Sequence, residues 1–287
     1  MLALTYSSVT TFCNCHKRYY YSYDQCIKPD KKSWALIDGE NVHYAMECYY
    51  TGEPVQDILL KLRSRYNEND EKEIYHAVLV HSLFEGYTLR HPANEFESYE
   101  PEVKFSIEVD NPNLPEKKFV LTGKTDGRIK QGGKPYLLET KTTSAYNIKD
   151  YLDRLILDNQ PDIYLYGFNR MGYSAVGMLY NVLVKPRLRQ NSFEADDRFY
   201  KRIKKTILND AKKDTPKYFH REMIYRSPKE LTDFEEELKQ IAEDMSQYYP
   251  YKNPSRCADW AGCEFKSLCE GGDMAGFTQK LKPHEEL

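Results

Sequence analysis

Phe119-Val120-Leu121-Thr122-Gly123-Lys124-Thr125-Asp126-Gly127 is followed, across the turn signal Gln131-Gly132-Gly133-Lys134-Pro135, by Tyr136-Leu137-Leu138-Glu139-Thr140-Lys141. Short apolar runs bounded by such punctuation read as strands, and the paired glycines and proline mark a turn joining the last two of them. Asp126 and Glu139 then stand side by side on neighbouring strands. Side chains alternate along a strand, so Lys141 shares a face with Glu139.

Working outward, residues 103–109 (Val-Lys-Phe-Ser-Ile-Glu-Val) alternate as a strand should, residues 152–170 read as a helix and 174–184 as a further strand. Together these predict an α/β core. Upstream, Ser7, Ser8, Thr10 and Thr11 offer caps for a short basic-aromatic helix ending near residue 23. Helices are expected over 55–66, after the turn residues 52–54, and over 71–89. Downstream of 185 the chain becomes strongly charged, with helices over 195–212 and 228–247 and then a cysteine-rich tail. One domain over 1–287 is the expectation: a helical part at 1–100, the α/β core at 101–185, a charged helical region at 186–250 and the tail at 251–287.

Composition narrows the class. The 287 residues carry 41 basic and 44 acidic side chains, a formal charge of −3, so no global positive field advertises nucleic acid and any such contact must be local. The sequence offers neither a membrane-spanning apolar run nor a secretory signal, and a cytoplasmic protein is expected. Seven cysteines, an odd number, fit a reducing compartment and favour metal or cluster ligation over a disulfide framework. Aromatic residues make up 14% and are mostly tyrosine, which suits a packed core and surfaces on which bases stack.

Two carboxylates on adjacent strands suit Mg²⁺ or Mn²⁺, hard cations that take oxygen ligands and leave positions open for water and phosphate. A lysine on the same face suits the attacking water or a scissile phosphate. That combination is phosphodiester-hydrolysis chemistry. For an isolated Asp…Glu-x-Lys match a solvated strand face is the commoner reading, so the surrounding residues decide.

With Gln160-Pro161-Asp162-Ile163-Tyr164 downstream, these segments resemble the successive motifs of the RecB-like branch of the PD-(D/E)XK nucleases. The resemblance implies a restriction-endonuclease-like core, a mixed central sheet flanked by helices, with a helical annex. It implies catalytic roles for Asp126, Glu139, Lys141, Gln160 and Tyr164; the last two, four apart, fall on one helix face. A histidine from an upstream helix commonly joins the metal ligands in that branch, which nominates His81 beside Asp126 and Glu139. The family often has a glycine four residues before this histidine, where the chain has Ala77, and His76 is a competitor. Glu108 and Glu102 are further acids on the preceding strand.

Cys257, Cys263 and Cys269 recur in the tail with five residues between neighbours, and Cys15 precedes His16-Lys17-Arg18-Tyr19. Structural zinc ligands come as closer pairs; four such thiols suit an iron–sulfur cluster. The arrangement is similar to the iron–sulfur nucleases related to AddB and to CRISPR-associated exonucleases, which implies a [4Fe-4S] clamp between the two ends of the chain, with His16 replacing the usual proline and Cys13 as an alternative to Cys15. Cys26 and Cys48 read as small buried hydrophobes. Basic and aromatic residues interleave at Lys185 to Arg189, Arg198 to Lys205, Lys212-Lys213 and Phe219-His220-Arg221, a pattern shared by DNA-contacting surfaces and solvated helices.

The expectation is therefore a Mg²⁺- or Mn²⁺-dependent DNA exonuclease acting on single-stranded ends, resembling stand-alone phage-type enzymes of the host cytoplasm. No ATP-binding GxxxxGK[ST] loop is present, which leaves strand separation to a helicase or recombination partner. Two other readings share the residues: a non-catalytic cluster-bearing DNA-binding or assembly subunit, and a structure-specific endonuclease of the same fold.

Overall fold

A computed structural model describes residues 1–258 and 262–285. In chain order the elements are β1 (Ala3–Leu4), α1 (Tyr6–Asn14), α2 (His16–Tyr19) running into a π-helical turn (Tyr20–Asp24), β2 (Ile27–Pro29), α3 (Trp34–Tyr50), α4 (Val55–Arg63) and α5 (Glu71–Arg90). Then come β3 (Ser98–Pro101), β4 (Lys104–Asp110), β5 (Lys118–Lys124), β6 (Gly127–Gln131), β7 (Lys134–Thr143), α6 (Ile148–Ile156), α7 (Asn159–Arg170) and β8 (Met178–Val184). The chain continues through α8 (Asp196–Ala211), β9 (Phe219–Ile224), α9 (Pro228–Gln247), α10 (Lys266–Cys269) and β10 (Phe277–Gln279).

The central sheet has the order β3-β6-β7-β8-β9, with β7 and β8 parallel and the other pairs antiparallel. Both Gly132 and Gly133 take positive φ, 59° and 74°, the backbone a two-residue turn needs between β6 and β7. A smaller sheet, β1-β5-β4, continues from the first. The hairpin that enters as β3 and β4 and returns as β5 and β6 bends where it changes sheet. At the bend Glu102 donates its amide to the Asp126 carbonyl (3.1 Å) and Thr125 to that of Val103 (3.0 Å), with Glu102 at φ 48°.

Strand β8, Met-Leu-Tyr-Asn-Val-Leu-Val, is buried along its whole length, as a parallel strand covered on both faces must be. Its alternate residues divide the core. Tyr180, Val182 and Val184 pack with Phe105, Phe168 of α7 and Leu238 of α9. Leu179 and Leu183 face Leu83 and Phe84 of α5 and Ile203 and Ile207 of α8.

Several elements differ from the sequence reading. The helix expected over 152–170 is two, because Asp158 leaves helical conformation and caps α7 by accepting from Gln160 N. The first helix breaks at Cys15, which is extended (φ −164°, ψ 114°). Helix α3 and strand β9 have no counterpart in that reading. No helix among the described residues is long and apolar enough to cross a membrane.

Candidate active site

Asp126 sits at the hairpin bend, one residue before β6. The register pairs Gly127 with Leu138, which brings Asp126 opposite Glu139. Its Oδ2 accepts the Thr140 amide at 2.6 Å, and its Oδ1 accepts from Nδ1 of His43 at 2.8 Å. The neighbouring glycine is required by packing: a Cβ on Gly127 would lie 2.4 Å from the Tyr99 ring, whose hydroxyl donates to the Asp126 carbonyl at 3.1 Å. Burial pushes the Asp126 carboxyl up, but the His43 imidazole first, then the Thr140 amide and the Lys141 charge, together outweigh it and hold the group below the usual range. Burial likewise works against a charged His43, but Asp126 raises it above an ordinary histidine.

Glu139 and Lys141 project from the same face of β7, and Lys141 Nζ donates to Glu139 Oε1 at 2.7 Å. The same oxygen accepts Nε2 of Gln160 from α7 at 2.8 Å, and Tyr180 completes the chain by donating to Gln160 Oε1 at 3.2 Å. Glu139 Oε2 is buried and has no hydrogen-bond partner. Burial and then the Asp126 charge raise the Glu139 carboxyl. Lys141 is held above its usual range, since the Glu139 carboxylate outweighs the cost of burial. Tyr164 is 7% exposed, one turn after Gln160, within electrostatic reach of both Glu139 and Lys141. Gly123 makes this approach possible: a Cβ there would stand 2.6 Å from Phe105 and 3.1 Å from the Tyr164 ring.

A family model of the PD-(D/E)XK nuclease superfamily matches residues 3–270. The chain belongs to this superfamily. Among solved structures, an exonuclease from Eubacterium rectale, so named only provisionally, shares 10% identity over 99% of this chain and 92% of its own, at a TM-score of 0.50. That likeness is one of fold. The protein SSO0001 aligns at 16% identity over 81% of this chain and 96% of its own, with a TM-score of 0.36. Among curated proteins none matches in sequence.

In this PD-(D/E)XK chain the structure brings Asp126, Glu139, Lys141, Gln160 and Tyr164 together, but not His81. The expectation that His81 joins the metal ligands is corrected: its surroundings are Tyr66, Ala77 and Val78 between α4 and α5, with its Nε2 buried and unpartnered, and burial lowers its pKa. His76 pairs instead with the buried Asp38 at 2.9 Å. The histidine at Asp126 is His43 on α3. A sequence signal for it existed, since Gly39 precedes it by four residues and lies over β7, 3.7 Å from the Thr142 hydroxyl to an added Cβ. Of the two further acids, Glu102 lines the cleft and pairs with Lys124 at 2.6 Å, whereas Glu108 is exposed and pairs with Lys118.

The cleft over Asp126 encloses about 600 Å³ between α3 and the bent hairpin, with His43, Glu47, Glu102 and Lys141 on its walls. The basic segments expected to contact DNA are largely engaged elsewhere: Arg202 binds Glu194, Lys204 binds Glu85, and Arg221 makes a bidentate pair with the half-buried Glu95 at 2.6 and 2.8 Å. Lys185 lies on a second cavity adjoining Lys141.

The ends of the chain meet. Strands β2 and β10 pair antiparallel, the Lys17 amide donates to the Tyr251 carbonyl, Asn253 Nδ2 donates to the Asn14 carbonyl, and Arg18 pairs with Glu264. Cys15, Cys257 and Cys263 line one cavity of about 110 Å³ there, and Cys269 feels the charges of Cys15 and Cys257. Cys13 is exposed. Cys48 is buried, as expected, while Cys26 is half-buried and donates to the Tyr23 carbonyl. Among the described residues no set of three or more His, Cys, Asp or Glu side chains is already gathered as a metal site.

Proposed function

We propose that this member of the nuclease superfamily is a Mg²⁺- or Mn²⁺-dependent deoxyribonuclease that digests DNA from single-stranded ends. One observation carries the reading: Glu139 Oε2 is buried without a donor, while Oε1 is taken by both Lys141 and Gln160. A bare carboxylate oxygen in a buried site is costly. A hard divalent cation shared with Asp126 is the partner whose chemistry fits, and His43 stands ready as a third ligand. When bound, such an ion neutralises phosphate charge and acidifies a water.

The protein's own groups do the rest. Gln160, oriented by Tyr180, holds Glu139 by one oxygen and so reserves the other. Lys141, kept charged by Glu139, offsets negative charge that develops on the phosphate and orients the attacking water. Tyr164 stands beside both as a positioning hydroxyl.

A [4Fe-4S] clamp on Cys15, Cys257, Cys263 and Cys269 is part of this reading: the first three line one cavity beside the hydrogen bond from Asn253 to Asn14, Cys269 lies within electrostatic reach of Cys15 and Cys257, and the four would have to draw together on the cluster. Thiolate is the right donor for such a cluster. An anaerobic preparation without iron or acid-labile sulfide refutes it, and zinc in their place makes the clamp a zinc site.

The deciding experiment sets wild type against Asp126→Ala and Lys141→Ala on end-labelled linear and circular single-stranded DNA, with Mg²⁺, Mn²⁺ or EDTA. The expected result is metal-dependent loss of the linear substrate alone, abolished by both substitutions. Cleavage of the circle makes the enzyme an endonuclease. DNA binding without cleavage by a folded wild type makes it a binding or assembly subunit.

A further inference from the structure

The active-site cleft has two halves that share Ala35, Lys141 and Thr142 as a common wall. The half over Asp126 is the more acidic, with Glu40, Glu47 and Glu102 on its walls, Glu40 paired with Lys32 and Glu102 with Lys124. The other, about 700 Å³, is basic and aromatic: Tyr6, Tyr151, Arg154 and Lys185 line it together with Lys141. Its one acid, Asp158, is committed, accepting from the Tyr6 hydroxyl at 3.0 Å and from Gln160 N at 2.9 Å as the cap of α7.

We propose that this second half is the subsite that grips the retained single strand of the substrate, with Arg154 on a phosphate and Tyr151 and Tyr6 against unpaired bases; the proposal rests on the nuclease reading above. Four features of the molecule support it. Tyr151 and Arg154 are three residues apart on α6, hence on one helix face, and the buried Leu155 anchors that helix to the core. Arg154 is exposed, and its Nε donates to the Asp150 carbonyl at 3.2 Å within its own helix, so its charge is available to a ligand. Lys185 is held in place by the buried Asp38 at 2.9 Å and closes the far wall as a fixed rather than a free cation. The Lys141 ammonium lies over the Tyr6 ring, 5.9 Å from its centroid, so the aromatic wall begins at the catalytic lysine itself.

Charge then gives the cleft a direction. A polynucleotide carries a phosphate at every step, and the acidic half repels all but the phosphate bound through metal, whereas the basic half attracts the rest. The long strand lies across Tyr151 and Arg154, and the released fragment leaves over Glu40, Glu47 and Glu102. Stacking on tyrosine demands unpaired bases, which restricts this subsite to single strands.

The test uses the full chain and a fluorescein-labelled twelve-nucleotide oligothymidylate. Arg154→Ala is expected to raise KM about tenfold with kcat within about twofold of wild type, and to reduce the slope of log affinity against log salt by about 0.7, the share of one single-strand phosphate. Arg154→Lys restores most of both. Tyr151→Ala weakens binding about tenfold with the salt slope unchanged, and Lys229→Ala, on α9 and paired with Asp233, changes nothing. Because Arg154 is exposed, its variant reports on the subsite even if Tyr151→Ala unfolds. Wild-type cleavage with unaltered KM and salt slope in Arg154→Ala overturns the subsite and leaves the nuclease reading intact. A fall in kcat at constant KM overturns it too. A wild type that neither binds nor cuts the oligonucleotide overturns both.

Discussion

Nδ1 of His43 donates to Oδ1 of Asp126 across 2.8 Å, joining α3 to the bend of the hairpin that carries Asp126. The contact makes an imidazole the nearest basic group to the first acidic residue of the site, although 82 residues lie between them in the chain. His43→Ala is expected to lower Mn²⁺ affinity by about 10- to 100-fold, the range typical of groups that ligate or orient a metal site, while His81→Ala leaves it unchanged. Isothermal titration of Mn²⁺ into each variant decides between the two histidines.

Removing the Gln160 amide strips Glu139 Oε1 of one donor and leaves the Tyr180 hydroxyl facing no acceptor. Gln160→Ala should cost about 1–3 kcal/mol in stability and about 10- to 100-fold in kcat. Urea unfolding together with single-turnover cleavage measures both. Gln160→Glu should be worse, since it buries a second carboxylate against Glu139.

Gly127→Ala places a methyl group 2.4 Å from the Tyr99 ring. Overpacking of this kind costs about 1–3 kcal/mol, and here the displaced ring also carries the hydroxyl that fixes the Asp126 carbonyl. The expected outcome is a lowered urea midpoint with weakened Mn²⁺ binding. A Tyr99→Leu background, where the ring is gone, should relieve much of the loss in stability.

Acid sensitivity should come in part from Glu95. Burial raises its carboxyl, but hydrogen bonds from Arg221, His91 and Tyr50 outweigh burial and leave it at about 2. A carboxyl depressed on folding stabilises the protein above its unfolded value near 4.3 and loses that contribution as pH falls toward 2. Glu95→Gln should lose on the order of 3 kcal/mol at pH 7, since Arg221 is left without its counter-charge. Its stability should also fall less between pH 5 and pH 2 than that of wild type. Chemical denaturation across that window reports the difference.

Cys257→Ser is expected to remove iron and acid-labile sulfide and to lower the melting temperature. Under conditions where the variant is folded, Asp126-dependent cleavage should persist, because the cysteines lie at the chain ends and not in the cleft. Metal analysis and calorimetry on anaerobically prepared protein test this.

Much of the core was legible from residue order. The strand alternation at residues 103–109 and the glycine pair at Gly132-Gly133 correspond to β4 and the β6–β7 turn, and the strand expected over 174–184 is β8, which begins only at Met178. Helix α3 was hidden for a physical reason. Its stripe is interrupted by Asp38 and Asn41, which are buried because Lys185, His76 and Arg65 meet them, and by Gly39, a poor helix former that packs over β7. Strand β9 was hidden likewise, since its His-Arg-Glu centre reads as surface until Arg221 is seen to pair with Glu95 across the sheet. Tertiary partners hid both elements from local pattern. With α3 unseen, the choice of histidine fell on the visible helix 71–89, although Ala77 there lacks the glycine that Gly39 supplies.

The hydrogen bond from Asn253 to the Asn14 carbonyl spans 239 positions of the chain. At a synthesis rate of about 5–20 residues per second, Asn14 emerges roughly ten to fifty seconds before its partner exists. Throughout that interval the helix that carries Tyr6 lacks its terminal tether, while Asp126, Glu139 and Lys141 have already been made. The ribosome therefore delivers the acidic centre first and this tether last, and until translation has passed residue 253 the pairing of β1 with β5 and the Tyr6–Asp158 hydrogen bond are left to hold the aromatic wall.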